Sequence, residues 1–131
     1  MAVLSESSKE RLLTCDPRLQ RICEMAIRVI DFTVLEGHRG QEAQDLAFAD
    51  GKSKLKWPNG NHNTIPAIAV DIAPYPIDWN DSSRFHLLAG IMLGIAVSLN
   101  IKIRWGGDWN QNNRSDDERF KDFPHFELYE T

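Results

Sequence analysis

Four histidines are the side chains best able to carry chemistry near neutral pH: His38, His62, His86 and His125. Two of them stand in contexts that ask for an explanation. His125 sits in DFPHFEL, an aromatic alternating stretch, with Asp122 three residues upstream and Glu127 two downstream. His62 lies in GNHNT, a polar loop that leads into IAVDIA, where Asp71 has apolar neighbours on both sides. An ionised carboxylate in such a buried strand costs several kcal/mol, roughly, unless a cation or a hydrogen-bonding partner neutralises it. One at a time, these residues have ordinary readings: His125 as a hydrogen-bonded core histidine, His62 as a loop histidine, Asp71 as the partner of an arginine such as Arg39 or Arg104. Together they suit a catalytic zinc, two imidazoles and a carboxylate serving as protein ligands with a fourth position left for water. No HExxH or CxxC spacing is present, so the metal reading rests on the conjunction of the three.

Holding them together requires elements from distant parts of the chain. At 131 residues, 42% hydrophobic and 26% charged, without repeats or a Pro/Gly/Ser linker, residues 1–131 read as a single domain with no room for a second of ordinary size. Residues 5–13 suit a short helix, and Asp16-Pro17 caps a second that carries Leu19, Ile22, Cys23, Ala26, Ile27 and Ile30 at helical spacing. Residues 29–35 alternate like a strand, and residues 41–49 are helix formers stopped by Asp50-Gly51. After a polar loop over 52–64, residues 67–73 form a short buried strand ended by Pro74 and Pro76. Ser82 or Ser83 caps a long helix through Leu99 whose nearly all-round apolar surface predicts a central buried helix, with Asn100 at its end. Residues 101–105 and 123–129 complete the strands, separated by Gly106-Gly107 and a polar acidic loop over 108–121. The expected architecture is α+β: about three helices packed on a small, mainly antiparallel sheet, with the metal cleft on the sheet.

Composition excludes other classes. A formal charge of −4 gives no global positive field for nucleic acid. The longest apolar run, residues 87–99, is too short and too interrupted to span a bilayer, and the opening MAVLSESSKERLL lacks a signal-peptide core. Cys15 and Cys23 are therefore expected as free thiols.

The strings GKSKLKWPNGNHNTIPAIAVDIAPYP, RWGGDW and DFPHFEL, with the leader LSESSKERLLTCDPRLQRICEMAI, resemble the phage L-alanyl-D-glutamate endopeptidases, endolysins of the zinc D-alanyl-D-alanine dipeptidase and carboxypeptidase superfamily. The resemblance implies Zn²⁺ held by His62, Asp71 and His125, Asp122 as catalytic base, and Arg39 as the group that stabilises the oxyanion. It implies Gln44 and Ser53 lining the substrate site, and the peptidoglycan stem peptide as substrate. It further implies a monomer held in the host cytoplasm until a holin releases it to the wall. Two departures stand out. Gly60 replaces the serine of the superfamily's Ser-x-His, and Asp71 follows His62 by two residues more than is usual, which places an inserted loop near Ile65-Pro66. His38 and His86 match no ligand position. Lys52, Lys54 and Lys56 read as a solvated loop or as an attraction for an anionic substrate, and Trp57, Trp79, Trp105 and Trp109 as cleft walls or core. A D-alanyl-D-alanine carboxypeptidase or dipeptidase, and a non-catalytic metal-stabilised binding module, are the alternatives.

Overall fold

The sheet that carries the site is assembled from both ends of the chain. In the computed structural model, which describes residues 2–129, the elements run α1 (Glu6–Leu12), α2 (Pro17–Ala26), β1 (Phe32–Glu36), α3 (Gln41–Ala49), β2 (Ala69–Pro74), α4 (Ser82–Ser98), β3 (Ile103–Trp105) and β4 (His125–Leu128). The strands form one sheet in the order β1-β2-β4-β3, with every pairing antiparallel. The architecture is α+β as expected, with four helices instead of about three among the described residues.

Local chemistry sets the helix ends. Ser5 accepts from the Ser8 amide at the start of α1, and Asp16 accepts from the Arg18 amide at the start of α2, with Pro17 in the first turn. α2 buries Leu19, Ile22, Cys23 and Ala26, the stripe its spacing predicts. It stops at Ala26, short of Ile30, and the chain turns before β1 because the amides of Val29 and Ile30 both bond back to the Ala26 carbonyl. α4 ends in a Schellman turn: Asn100 takes a left-handed φ of 59°, its amide bonds to the Val97 carbonyl, and the Ile101 amide bonds to that of Ala96.

Two expectations for α4 need correction. Its N-cap is Asp81, without a side-chain cap bond, and neither serine takes that place. Nor is the helix buried all round. Phe85, Leu88, Ala89, Met92 and Ala96 face the core, while Leu87 and Val97 are 58% and 79% exposed. A small domain offers α4 only one packed side, against α2, β2 and β3, so its other apolar side chains meet water.

Strand alternation divides the sheet into two chemistries. Phe32, Val34, Val70, Ile72, Ile103, Trp105, Phe126 and Leu128 point into the core beneath the helices. The intervening positions, among them Asp71, Arg104, His125 and Glu127, fall on the opposite face. Both cysteines are free and buried, and burial pushes the Cys15 thiol up to about 11.

Candidate metal centre

Three atoms from three segments converge on the polar face. Register pairs Asp71 of β2 with His125 of β4, and the loop before β2 brings in His62. That loop is tied down at both sides: the Arg39 amide donates to the His62 carbonyl at 2.7 Å, and the Ile68 amide to the Asn61 carbonyl at 3.0 Å. Asp71 Oδ1 lies 3.2 Å from His62 Nε2 and 3.2 Å from His125 Nδ1, and the two nitrogens are 3.3 Å apart.

The outward ring nitrogens identify what these inner atoms are. His62 Nδ1 is 2.7 Å from the Gly37 carbonyl oxygen, which only accepts, so in the neutral ring Nδ1 carries the hydrogen. His125 Nε2 likewise donates to Glu127 Oε1 at 2.7 Å. With both rings neutral, the inward atoms are two lone pairs facing a carboxylate oxygen, with His62 and His125 only 3% and 8% exposed. Three acceptors this close repel unless a positive charge sits between them. Their spacing is that of tetrahedron corners roughly 2 Å from a common centre, the distance zinc takes to nitrogen and oxygen. The carboxylates supply the negative field: burial disfavours a charged His125, yet Asp71 and Glu127 raise its pKa to about 10, so without a metal a proton on this ring supplies the positive charge. Burial pushes Asp71 up as well, but His62 and His125 hold it well below the usual carboxylate range. His62, Asp71 and His125 thus form a group able to hold a metal ion.

Around this centre lies a cleft of about 1220 Å³, room for several residues of extended peptide, with Trp79, Trp109, Leu46 and Leu55 in its walls. Asp122 lines it too, Oδ2 3.9 Å from His125 Nδ1. Burial first, then the Asp71 charge, raises its pKa to about 6. Arg39 is gripped from several sides. Its Nε and Nη2 donate to Glu36 Oε1 at 2.8 and 2.5 Å, Nη1 donates to Gln44 Oε1 at 3.0 Å, and Nη2 lies 3.5 Å from Asp71 Oδ2. Of the two arginines expected as partners of Asp71, Arg39 takes that place, while Arg104 binds Glu127 at 2.7 Å.

Gln44 and Ser53 border the cleft, but the Gln44 side chain is saturated by protein. It is fully buried, its oxygen accepts from Arg39 and Asn63, and its Nε2 donates to Ser53 Oγ and the Leu55 carbonyl. The Gly60 departure also finds a reason. A Cβ there would run into Asn63 Oδ1, the atom that accepts from the Gly60 amide. Ile65, in the stretch before Asp71, is 85% exposed.

The remaining aromatic and basic residues sort as follows. Trp105 is buried and stacks on Phe123, and Trp57 is not part of the cleft wall. His86 bonds to the Ser82 carbonyl and to Ser115 Oγ, packing against Trp105 and Phe123; neither it nor His38 lines the cleft. Lys52 and Lys54 border the cleft, Lys54 over the Phe120 ring, whereas Lys56 lies over Phe48 outside it. Glu36 and the Gly37 carbonyl were not marked by their sequence context, and Arg104 was marked only as a candidate partner of Asp71; their places in the site carry no signal until the register is known.

Known proteins share both sequence and fold with this chain. The family model for phage L-alanyl-D-glutamate peptidase matches residues 1–129. The L-alanyl-D-glutamate peptidase of Escherichia phage T5 is 36% identical over 120 residues, covering 86% of this chain and 85% of that protein. The crystal structure of the Serratia marcescens L-Ala D-Glu endopeptidase ChiX superposes with a TM-score of 0.76 at 26% identity, covering 97% of this chain and 90% of that one. A family match over nearly the whole chain and a relative of this identity give one conclusion: the chain belongs to the phage L-alanyl-D-glutamate peptidase family.

Proposed function

We propose that this chain is a zinc-dependent peptidoglycan peptidase that hydrolyses the L-alanyl-D-glutamate bond of the stem peptide and acts as a phage lysis enzyme. The observation that carries the zinc reading is the convergence of two imidazole nitrogens and a carboxylate oxygen at 3.2–3.3 Å. The bond is named from the family and from its relatives' activity.

His62, Asp71 and His125 would hold the ion. Its chemistry when bound is that of a Lewis acid, polarising the scissile carbonyl and making water a stronger acid. Asp122 accepts the proton from the attacking water as oxygen adds to the alanyl carbonyl carbon, then delivers it to the D-glutamyl nitrogen as the C–N bond breaks. Its pKa of about 6 suits both transfers, whereas Glu127, held down to about 2 by His125 and Arg104 against the upward push of burial, is a poor base. Arg39 faces the charge that develops on the carbonyl oxygen, a contribution of about 3 kcal/mol for one preorganised donor. Gln44 and Ser53 shape the substrate wall by holding Arg39 and the segment around Leu55 in place.

No helix among the described residues is long and apolar enough to cross a membrane. The protein acts as a monomer that gathers in the host cytoplasm and reaches the wall when a holin opens the membrane. Zymography on bacterial walls tests the core of the reading: clearing disappears with a chelator and returns with added zinc, and clearing that survives complete metal removal sinks it. Product analysis separates the alternative, since a D-alanyl-D-alanine carboxypeptidase releases terminal D-alanine and leaves the L-alanyl bond whole.

A further inference from the structure

The segment RWGGDW, residues 104–109, supplies neither a ligand nor the base, yet it presses on residues 122–125 along its length. Trp105 stacks on Phe123 and donates from Nε1 to the Phe123 carbonyl at 2.7 Å. The Gly106 amide donates to the His125 carbonyl and the Gly106 carbonyl accepts from the Asp122 amide, both at 2.8 Å; a Cβ at Gly106 would collide with the Asp122 carbonyl. The Trp109 ring lies 5.5 Å from that of His125. Arg104 opens the segment. It is the register partner of Glu127 across β3 and β4, and its Nη2 donates to Glu127 Oε2 at 2.7 Å while Oε1 accepts from His125 Nε2 at 2.7 Å.

The two histidines differ in what stands behind them. His62 rests on a backbone carbonyl, fixed by the chain itself. His125 rests on a side-chain carboxylate, which turns about its own torsions unless its second oxygen is held. Arg104 is the group that holds it, and Glu127 is only 5% exposed.

We propose that Arg104 is a positioning residue of the metal site, acting through Glu127 to fix the tautomer and ring orientation of His125. This rests on the metal reading above. Removing a group that orients a metal-bound histidine typically weakens the metal by roughly 10–100-fold. Arg104→Ala is expected to lose zinc affinity on that scale, measured by competition with a chromophoric chelator, and to change the visible absorption spectrum of the cobalt-substituted protein, which reports donor geometry. Arg104→Lys, which restores one donor, recovers part of both. In a Glu127→Ala background, Arg104→Ala adds little further loss, because its route to the metal is already cut.

Wild-type zinc affinity and an unchanged cobalt spectrum in folded Arg104→Ala overturn the inference, as do losses that multiply fully in the double variant. Should Arg104→Ala fail to fold, Arg104→Met keeps an apolar stem without a hydrogen-bond donor and serves the same comparison. A wild-type protein that binds neither zinc nor cobalt overturns the metal reading itself, an outcome distinct from normal binding by both wild type and variant.

Discussion

His62 presents Nε2 to the proposed metal position and His125 presents Nδ1, and the choice in each case is made by the partner of the other nitrogen. The same reasoning distinguishes the carboxylates of the site. Asp71 is surrounded by histidines and stays ionised, Glu127 is locked between His125 and Arg104, and Asp122 alone is left with a pKa near neutrality. Asp122→Asn keeps the shape and removes the proton acceptor, so zinc binding is expected to persist while kcat falls by a factor on the order of 10² to 10⁴. The pH profile has a definite sign. A base raised to about 6 is protonated below that pH, so kcat/KM falls on the acid side, and a bound cation, by offsetting the Asp71 charge, moves this limb only to lower pH. A profile that instead rises with acidity would reassign the base. At this scale the sequence was informative where a polar residue interrupts an apolar run, as at Asp71 and His125. It was silent for Gly37, whose part is played by its carbonyl oxygen alone.

Among the elements, β1 contains the feature least visible beforehand. Strict alternation from Phe32 and Val34 would send Glu36 into the core. The register shifts between Val34 and Glu36, however, so Glu36 pairs with Asp71 and joins the polar face. A bulge of this kind re-aims a side chain, and here it sets a second carboxylate beside Asp71, with Arg39 reaching both. Alternation cannot announce a bulge, because the extra residue, Leu35, looks like any other strand residue. Glu36 is then expected to act through Arg39: Glu36→Ala lowers kcat roughly tenfold or more with little change in KM, the scale of a lost charge-assisted hydrogen bond. In an Arg39→Ala background the same change has little further effect, and a double-mutant cycle on a soluble stem peptide checks it. Independent losses would show that Glu36 serves some other part of the cleft. The long helix α4 shows the opposite error. Its apolar content was legible but its orientation was not, since Leu87 and Val97 are as apolar as Leu88 and Met92 and only packing tells them apart.

At the scale of the whole molecule, the ligands tie together segments that are far apart in sequence: the loop at His62, strand β2 at Asp71 and strand β4 at His125. The core lies on the other face of the sheet, where Val70, Ile72 and Phe126 are completely buried among α1, α2 and α4. This division makes the fold legible from hydrophobic patterning without reference to the metal, and it predicts a protein that folds before it is loaded. On the proposed reading, zinc would then add stability by binding only the folded state, in which the three donors meet. At free zinc a hundredfold above its dissociation constant the gain is about 2.7 kcal/mol, which for a chain of this length raises Tm by something on the order of 10 °C. Calorimetry of the stripped protein is therefore expected to show a cooperative transition that moves upward with added zinc. His125→Ala keeps the transition and loses most of the zinc-dependent shift. A stripped protein with no cooperative transition would instead make the metal part of the core's own stability, and the two faces of the sheet would no longer be independent.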